Sequence, residues 1–335
     1  MLQYLIRRIL WAVVLFLAVT LVTYVIFFII PVNPAKLVAG RHASNDDIKR
    51  AEHFLGTDRP VYIQYEKFLL RLTKPTVYHL GPVPVIGPQA DLGRSFATRQ
   101  SVSNIVATAA PVTASLVFGA VIIWMMIALP VGILSALKPR SLLDRTAMTF
   151  VLVGISLHPV WIGLVLAYFF AFKLGLFPIT GYCDMINPAT SCGGPIQWAY
   201  HLVLPWTVIA ILNAALYVRM IRANVLETVS EDFVRTARAK GAPEHRVLIR
   251  HVLRNAMLPV VTMLGMDIGI ALGGAIFTEN VFGLPGLGQT ALDSIQQYDL
   301  PITQGVVVFT TCAIIFFNLL VDLLYAWIDP RIRLG

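Results

Sequence analysis

Ile9 to Ile30 carries no charged residue, and a helix of about 20 apolar residues is what crosses a hydrocarbon core. Five more apolar segments of spanning length follow, within Ile105–Leu137, Thr146–Phe172, Tyr200–Met220, Ala256–Thr278 and Ile302–Ile328. No water is available in lipid to satisfy backbone N–H and C=O groups, so such runs must close their own hydrogen bonds, as helices do. Basic residues mark the breaks: Arg7 and Arg8 precede the first run, Lys138, Arg140 and Arg145 follow the second, and Arg219 and Arg222 close the fourth. Read by the excess of Lys and Arg on the inner side, this pattern predicts an all-α membrane protein with six transmembrane helices and both termini cytoplasmic.

The parts follow from those runs. Residues 1–30 are the N-terminal segment and first span, 31–104 an extracytoplasmic subdomain between helices 1 and 2, and 105–335 a core of five spans. That core includes a cytoplasmic loop, 223–256. The subdomain holds ten Lys and Arg residues, which is compatible with the outer side because long segments translocate largely regardless of charge. Short helices are expected around Asp46–Phe54 and Tyr62–Leu72, ahead of a Pro/Gly-rich stretch at Gly81–Pro88.

Composition agrees: 57% of the 335 residues are hydrophobic and only 13% charged, against about a quarter charged in soluble domains. A formal charge of +8 invites a nucleic-acid reading, but the basic residues sit where membrane orientation places them and no nucleic-acid motif accompanies them. The first apolar run is too long for a cleaved signal sequence and lacks a small-residue cleavage site after it.

The second half contains one long polar island, Thr228–Asn255. Thr228 and Glu231 have capping-box spacing, which predicts a helix starting there. Gly241 supplies a left-handed stop, and Pro243 with Glu244 opens a second helix toward Met257. On charge alone this is equally a basic inner loop. Within it, RTARAKGA and the following LRNAMLP resemble the conserved cytoplasmic loop of ABC importer permeases of the dipeptide and oligopeptide branch. YLIRRIL, LGTDRPVYIQY, DLGRSF, TENVFGLPGLG and VDLLYAWIDPRIR resemble the same family in the same order, over nearly the full length.

That resemblance implies a permease subunit of a binding-protein-dependent importer in a bacterial cytoplasmic (inner) membrane, translocating peptides by alternating access. Its implied partners are a second homologous permease, two ATPase subunits or one fused, and an extracytoplasmic substrate-binding protein, all around the lipid bilayer. ATP and Mg would be bound by the ATPase subunits, with no cofactor and no catalytic residue in this chain. Arg235, Thr236 and Ala237 take the positions of the signature Glu-Ala-Ala. The stretch Arg235, Thr236, Ala237, Arg238, Ala239, Lys240, Gly241, Ala242 and Pro243 is the implied ATPase-coupling segment, with Ala237 and Ala239 expected to face or border the partner. Arg235 departs from the signature acid, and Pro259 lies farther beyond Gly241 than in sugar-type permeases. Nickel, glutathione and oligosaccharides are alternative cargoes in this branch.

The chemistry that is missing is consistent with a non-enzyme. No Lys is followed by Ser or Thr, so no phosphate loop is present, and neither H-E-x-x-H nor G-x-S-x-G occurs. The competing class is an ion-gradient-driven secondary transporter or channel, which would favour paired intramembrane acids and inverted repeats; one clear mid-span acid, Asp267, is found. An acid there is costly and should face the bundle interior, either as a residue of the translocation path that meets a peptide amine or a basic gate, or as a structural partner for polar groups on the sister subunit. Asp322, near the end of the last span, reads as structural. His158-Pro159 marks a kink in the third span, with no second ligand at metal spacing. Cys183 and Cys192 share an outer loop with Pro188, Gly193 and Gly194, where the oxidising compartment favours a disulfide over free thiols or a metal site.

Overall fold

The computed structural model describes residues 2–29, 35, 44–55, 60–73, 75–80, 83–88, 91–185 and 192–328. The GTDR stretch at 56–59, the dipeptide at 81–82 and the DPRIR ending lie outside the described residues. The described chain is nearly all helical. Among the described residues four helices are each long and apolar enough to cross a membrane, and two bent helix pairs raise the number to as many as six. The chain divides into two compact units, Met1–Pro111 with Gly286–Cys312, and Val112–Pro285 with Ala313–Gly335.

In the first unit, α1 (Leu2–Ile29) is the first span, followed by α2 (Asn45–Leu55), α3 (Val61–Thr73) and a hairpin of β1 (Pro75–Leu80) and β2 (Val83–Pro88). Most of the large apolar side chains described along α1 are exposed, as a lipid-facing helix requires. Ser44 caps α2, donating from its N–H (3.1 Å) and hydroxyl (2.7 Å) to Asp47; those bonds hold the Asp47 carboxyl below the usual carboxylate range. Tyr24 and Phe68 pack α1 against α3, and Tyr24 donates to Gln64 at 3.1 Å. The hairpin is antiparallel, Pro75 opposite Pro88 through Leu80 opposite Val83. The sequence predicts no strand there, because prolines at both ends and within β2 mask the alternation. Later in the unit come α12 (Leu287–Gln296) and the first part of α13 (Leu300–Ile328). Asp299, 1% exposed, accepts from Ser95 Oγ and from the N–H groups of Phe96 and Ala97, each at 3.1 Å. The DLGRSF segment is thereby fastened to the start of the last span.

In the second unit, α4 (Val102–Leu137) continues past Pro111 and is followed by α5 (Leu142–Ser156) and α6 (Pro159–Lys173). Between α5 and α6 the chain bends by 104°. His158 is the N-cap of α6, accepting from the Val160 N–H at 3.3 Å, so the histidine completes the break that Pro159 imposes. Next are α7 (Pro195–Val229), α8 (Asp232–Ala239), α9 (Glu244–Ala256, π-helical over Val247–Leu253), α10 (Leu258–Ala271) and α11 (Ile276–Phe282). Trp124, Leu202, Tyr217, Ile221 and Leu284 lie in one buried core. Gly265 and Gly269 both face α13: a Cβ on Gly265 would overlap Val321, and one on Gly269 would lie 3.0 Å from the Ile314 Cα. Small residues at that spacing let two helix backbones approach closely.

Candidate functional site

The helix in the polar island begins later than its capping box predicts. Thr228 lies in the last turn of α7, where its hydroxyl donates to the Asn224 carbonyl at 2.7 Å rather than capping a new helix. α7 continues to Val229, a turn intervenes, and Glu231 is the N-cap of α8 without any side-chain cap bond. The T-x-x-E pattern therefore marks a helix's end here, because a threonine hydroxyl bonds back to the i−4 carbonyl as readily as it caps.

α8 has two contrasting faces. Val234 and Ala237 are buried among Val225, Val247 and Val252 of the same core. Phe233, Arg235, Thr236, Arg238, Ala239 and Lys240 are exposed. Ala237, 9% exposed, is at i and i+3 with Val234 and lies on the inward stripe of α8, beside the exposed Ala239. The outward apolar side chain is Phe233, 41% exposed. A single phenylalanine among charged neighbours was its only signal in the sequence.

The exit from α8 is tightly built. Lys240 closes the helix with its N–H on Thr236 O (3.1 Å), Gly241 follows at φ +78, and the Ala242 N–H reaches back to Ala237 O at 3.3 Å. Left-handed geometry of this kind suits glycine. Arg238 spans the turn to Glu244 in a two-point contact, Nε to Oε1 at 2.9 Å and Nη2 to Oε2 at 3.3 Å. Pro243 (φ −65) caps α9. Arg235 comes no closer than 3.6 Å to Asp232, with both side chains largely exposed, and such a pair contributes little. The result is a short amphipathic helix clamped at its C-terminus and presented outward.

Arg222, read from the sequence only as a basic end to a span, has a specific partner. Its Nε donates to Asp144 Oδ1 at 2.6 Å and its Nη2 to Oδ2 at 3.0 Å. Asp144 also accepts from Ser135 Oγ and from the Arg140 N–H at 2.8 Å. α4, α5 and α7 are thus joined at one carboxylate, less than two helical turns before the island begins.

Asp267 lies on α10 and accepts from the Tyr217 hydroxyl of α7 at 2.6 Å. Both belong to the second unit, where Asp267 borders a cavity of about 200 Å³ whose walls include Val117, Trp124, Asn213 and Ile270. Sequence placed the acid; the phenol, an aromatic in an apolar run, gave no sign of its role. Cys183 and Cys192 are joined, Sγ to Sγ at 2.09 Å with Cα atoms 5.4 Å apart, and His201 Nδ1 is 3.3 Å from Cys183 Sγ. Glu279, in the TENVFGLPGLG segment, is fully buried and accepts from Thr113 Oγ1 at 2.8 Å.

Residues 128–334 match the family described as binding-protein-dependent transport system inner membrane component, and residues 1–117 match the N-terminal part of binding-protein-dependent transport system membrane components. The chain belongs to this family. Similar proteins include the dipeptide transport system permease protein DppB of Escherichia coli (strain K12), 36% identical over 352 residues with 99% of each chain covered. The di/tripeptide transport system permease protein DppB of Pseudomonas aeruginosa (strain UCBPP-PA14) is 34% identical over 348 residues, again with 99% of each covered. A chain of the MetNI methionine ABC transporter, solved in inward-facing conformations, shares the fold with a TM-score of 0.53 at 17% identity, over 68% of this chain and 97% of that one. This inner-membrane component is accordingly a multi-pass membrane protein, and the island with α8 falls inside the region matched by the family's main model.

Proposed function

We propose that this chain is the transmembrane permease subunit of an ATP-driven peptide importer. Six spans, with each bent pair counted as one, put both termini in the cytoplasm and residues 31–104 outside. A second permease, two ATPase subunits that bind ATP and Mg, and an outer binding protein complete the machine. No bond is made or broken by this chain.

The observation that carries the reading is α8. It is anchored inward by Val234 and Ala237 and offers Phe233, Thr236 and Ala239 outward, in a chain whose full-length relatives are named as dipeptide and di/tripeptide permeases. A rigid helix with one free face can receive a push from an ATPase groove and pass it through α7 and α9, on which it is built. The spans then alternate between inward-open and outward-open arrangements.

The test is reconstitution. Mild-detergent purification should bring ATPase subunits with this chain, and the complex in liposomes should take up di- or tripeptides only with ATP and a loaded binding protein. Uptake by this chain alone, driven by an ion gradient, would overturn the proposal.

A further inference from the structure

The cavity beside Asp267 combines features that no packing role explains. An ionised carboxylate offers about four lone-pair positions, and a charge at membrane depth is stable only where it finds a partner or water. Tyr217 supplies one donor, at 2.6 Å. That donor is neutral, and among the described residues no Lys, Arg or His forms an ion pair with Asp267. The remaining acceptor capacity borders a space of about 200 Å³, far more than the roughly 10–15 Å³ of such volume that one ordered water occupies.

The walls narrow the chemistry of an occupant. Trp124 lines the cavity, its ring centroid 5.8 Å from that of Tyr217, and its buried indole N–H has no acceptor within reach among the described residues. Val117, Ile209, Ile270 and Ala271 are apolar, and the remaining wall residue, Asn213, has its amide Nδ2 donating to the Ile209 carbonyl at 2.9 Å. An anion is repelled by the carboxylate, and a bare metal ion wants more oxygen ligands than one carboxylate, one phenol and the Asn213 amide oxygen provide. A primary ammonium on a short alkyl arm satisfies all parties: the charge pairs with Asp267, the aromatic rings attract the cation, and the methylenes lie on the aliphatic wall.

We propose that Asp267, oriented by Tyr217 and walled by Trp124, is a binding site for primary alkylammonium groups within the spanning region. Resting on the peptide-import reading, the natural source is the α-ammonium or a lysine side chain of a peptide in transit. Asp267 binds the charge and Tyr217 is a positioning residue, holding one carboxylate oxygen so that the other is left for the ligand.

The purified complex in nanodiscs provides a test that does not require transport. A ligand that binds the folded state raises its melting temperature. n-Butylammonium chloride should raise Tm in a saturable way relative to sodium chloride at equal ionic strength. Asp267→Asn, which keeps an acceptor for Tyr217, should abolish that rise, Asp267→Glu should retain part of it, and Tyr217→Phe should weaken it. N-acetyl-lysine amide, with only an ε-ammonium, and norleucine amide, with only an α-ammonium, then separate the two sources. No saturable rise with any of the three ammonium compounds, or an equal rise in Asp267→Asn, overturns the site. A complex that shows the rise but imports no peptide would refute the peptide reading and leave the site standing.

Discussion

Arg222 and Asp144 meet in a two-point contact, Nε to Oδ1 at 2.6 Å and Nη2 to Oδ2 at 3.0 Å, with the Asp144 side chain 7% exposed and that of Arg222 24%. The Asp144 carboxylate, on α5, is further held by Ser135 and the Arg140 N–H, so its donors come from α4, from the turn that follows α4, and from α7. Removing one member of a buried pair leaves the other charge uncompensated, at a cost of about 3–5 kcal/mol, reduced here because Arg222 reaches solvent. Arg222→Ala and Asp144→Ala should each lower the unfolding temperature of the detergent-purified protein markedly. Asp144→Asn, which keeps hydrogen-bonding capacity, should lower it less. Identical unfolding temperatures for all three and the parent would show that the contact contributes nothing.

The two faces of α8 make opposite predictions for neighbouring residues. Phe233 is exposed, so Phe233→Ala should leave the isolated chain's stability unchanged. If the helix docks in an ATPase groove, losing an aromatic anchor should cost more than about 1 kcal/mol, at least about fivefold in affinity. Pull-down of the ATPase subunit and substrate-stimulated ATP hydrolysis both read this. Ala239→Arg should act the same way by adding bulk to the exposed face. Retained coupling in both variants would remove the docking role from this face.

Ala237 behaves differently because it is buried against its own chain. An arginine there would overpack and bury a charge, so Ala237→Arg should detach α8 and expose the island to limited proteolysis even without any ATPase present. Protease resistance equal to the parent would contradict the inward placement of Ala237.

How far the sequence disclosed this depends on the kind of signal each element carries. The spans were legible because a bilayer demands long uncharged runs, and Gly241 because its left-handed turn follows directly from residue type. Asp267 was legible as an acid in an apolar run, whereas Tyr217 and Trp124 were not, since aromatic residues in spans are ordinary. The Thr228 capping box misled, as the same spacing fits a hydroxyl bonding backward inside a helix. The Arg222 contact was hidden for a different reason. Its partner is 78 residues away, and charge counting treats every arginine at a span's end alike.

The loop that carries Cys183 and Cys192 offers a direct chemical test. Cys183 is fully buried and joined to Cys192, and an extracytoplasmic location would keep that bridge oxidised. We propose that both cysteines are oxidised in the membrane-extracted protein. Alkylation without reductant, followed by mass spectrometry, should leave Cys183 and Cys192 unmodified on the unfolded chain and modify Cys312, the free cysteine. Reagent on either loop cysteine of unreduced protein would refute the bridge.

Topology and the turn at Gly241 can be tested together by side-specific labelling. In a cysteine-free background, a cysteine at Tyr62, 72% exposed on α3, should react with an impermeant maleimide from outside intact cells, and one at Arg235 only after the inner face is opened. Reaction of the Tyr62 position solely from the cytoplasmic side would invert the whole map. Into the same Arg235-labelled chain, Gly241→Val would place a β-branched residue at φ +78, where an L side chain costs roughly 1–2 kcal/mol. A Cβ at Gly241 meets no atom within 4 Å, so the cost is purely one of backbone conformation and Gly241→Asn, which tolerates that region, should be milder than Gly241→Val. Since the Ala242 N–H bond to Ala237 and the Arg238–Glu244 contact both depend on this turn, the valine variant should insert normally, label at Arg235 from the same side, and lose ATP-dependent uptake in the assembled complex. Equal uptake in the valine and asparagine variants, at parental level, would show that the geometry of this turn is not part of the coupling.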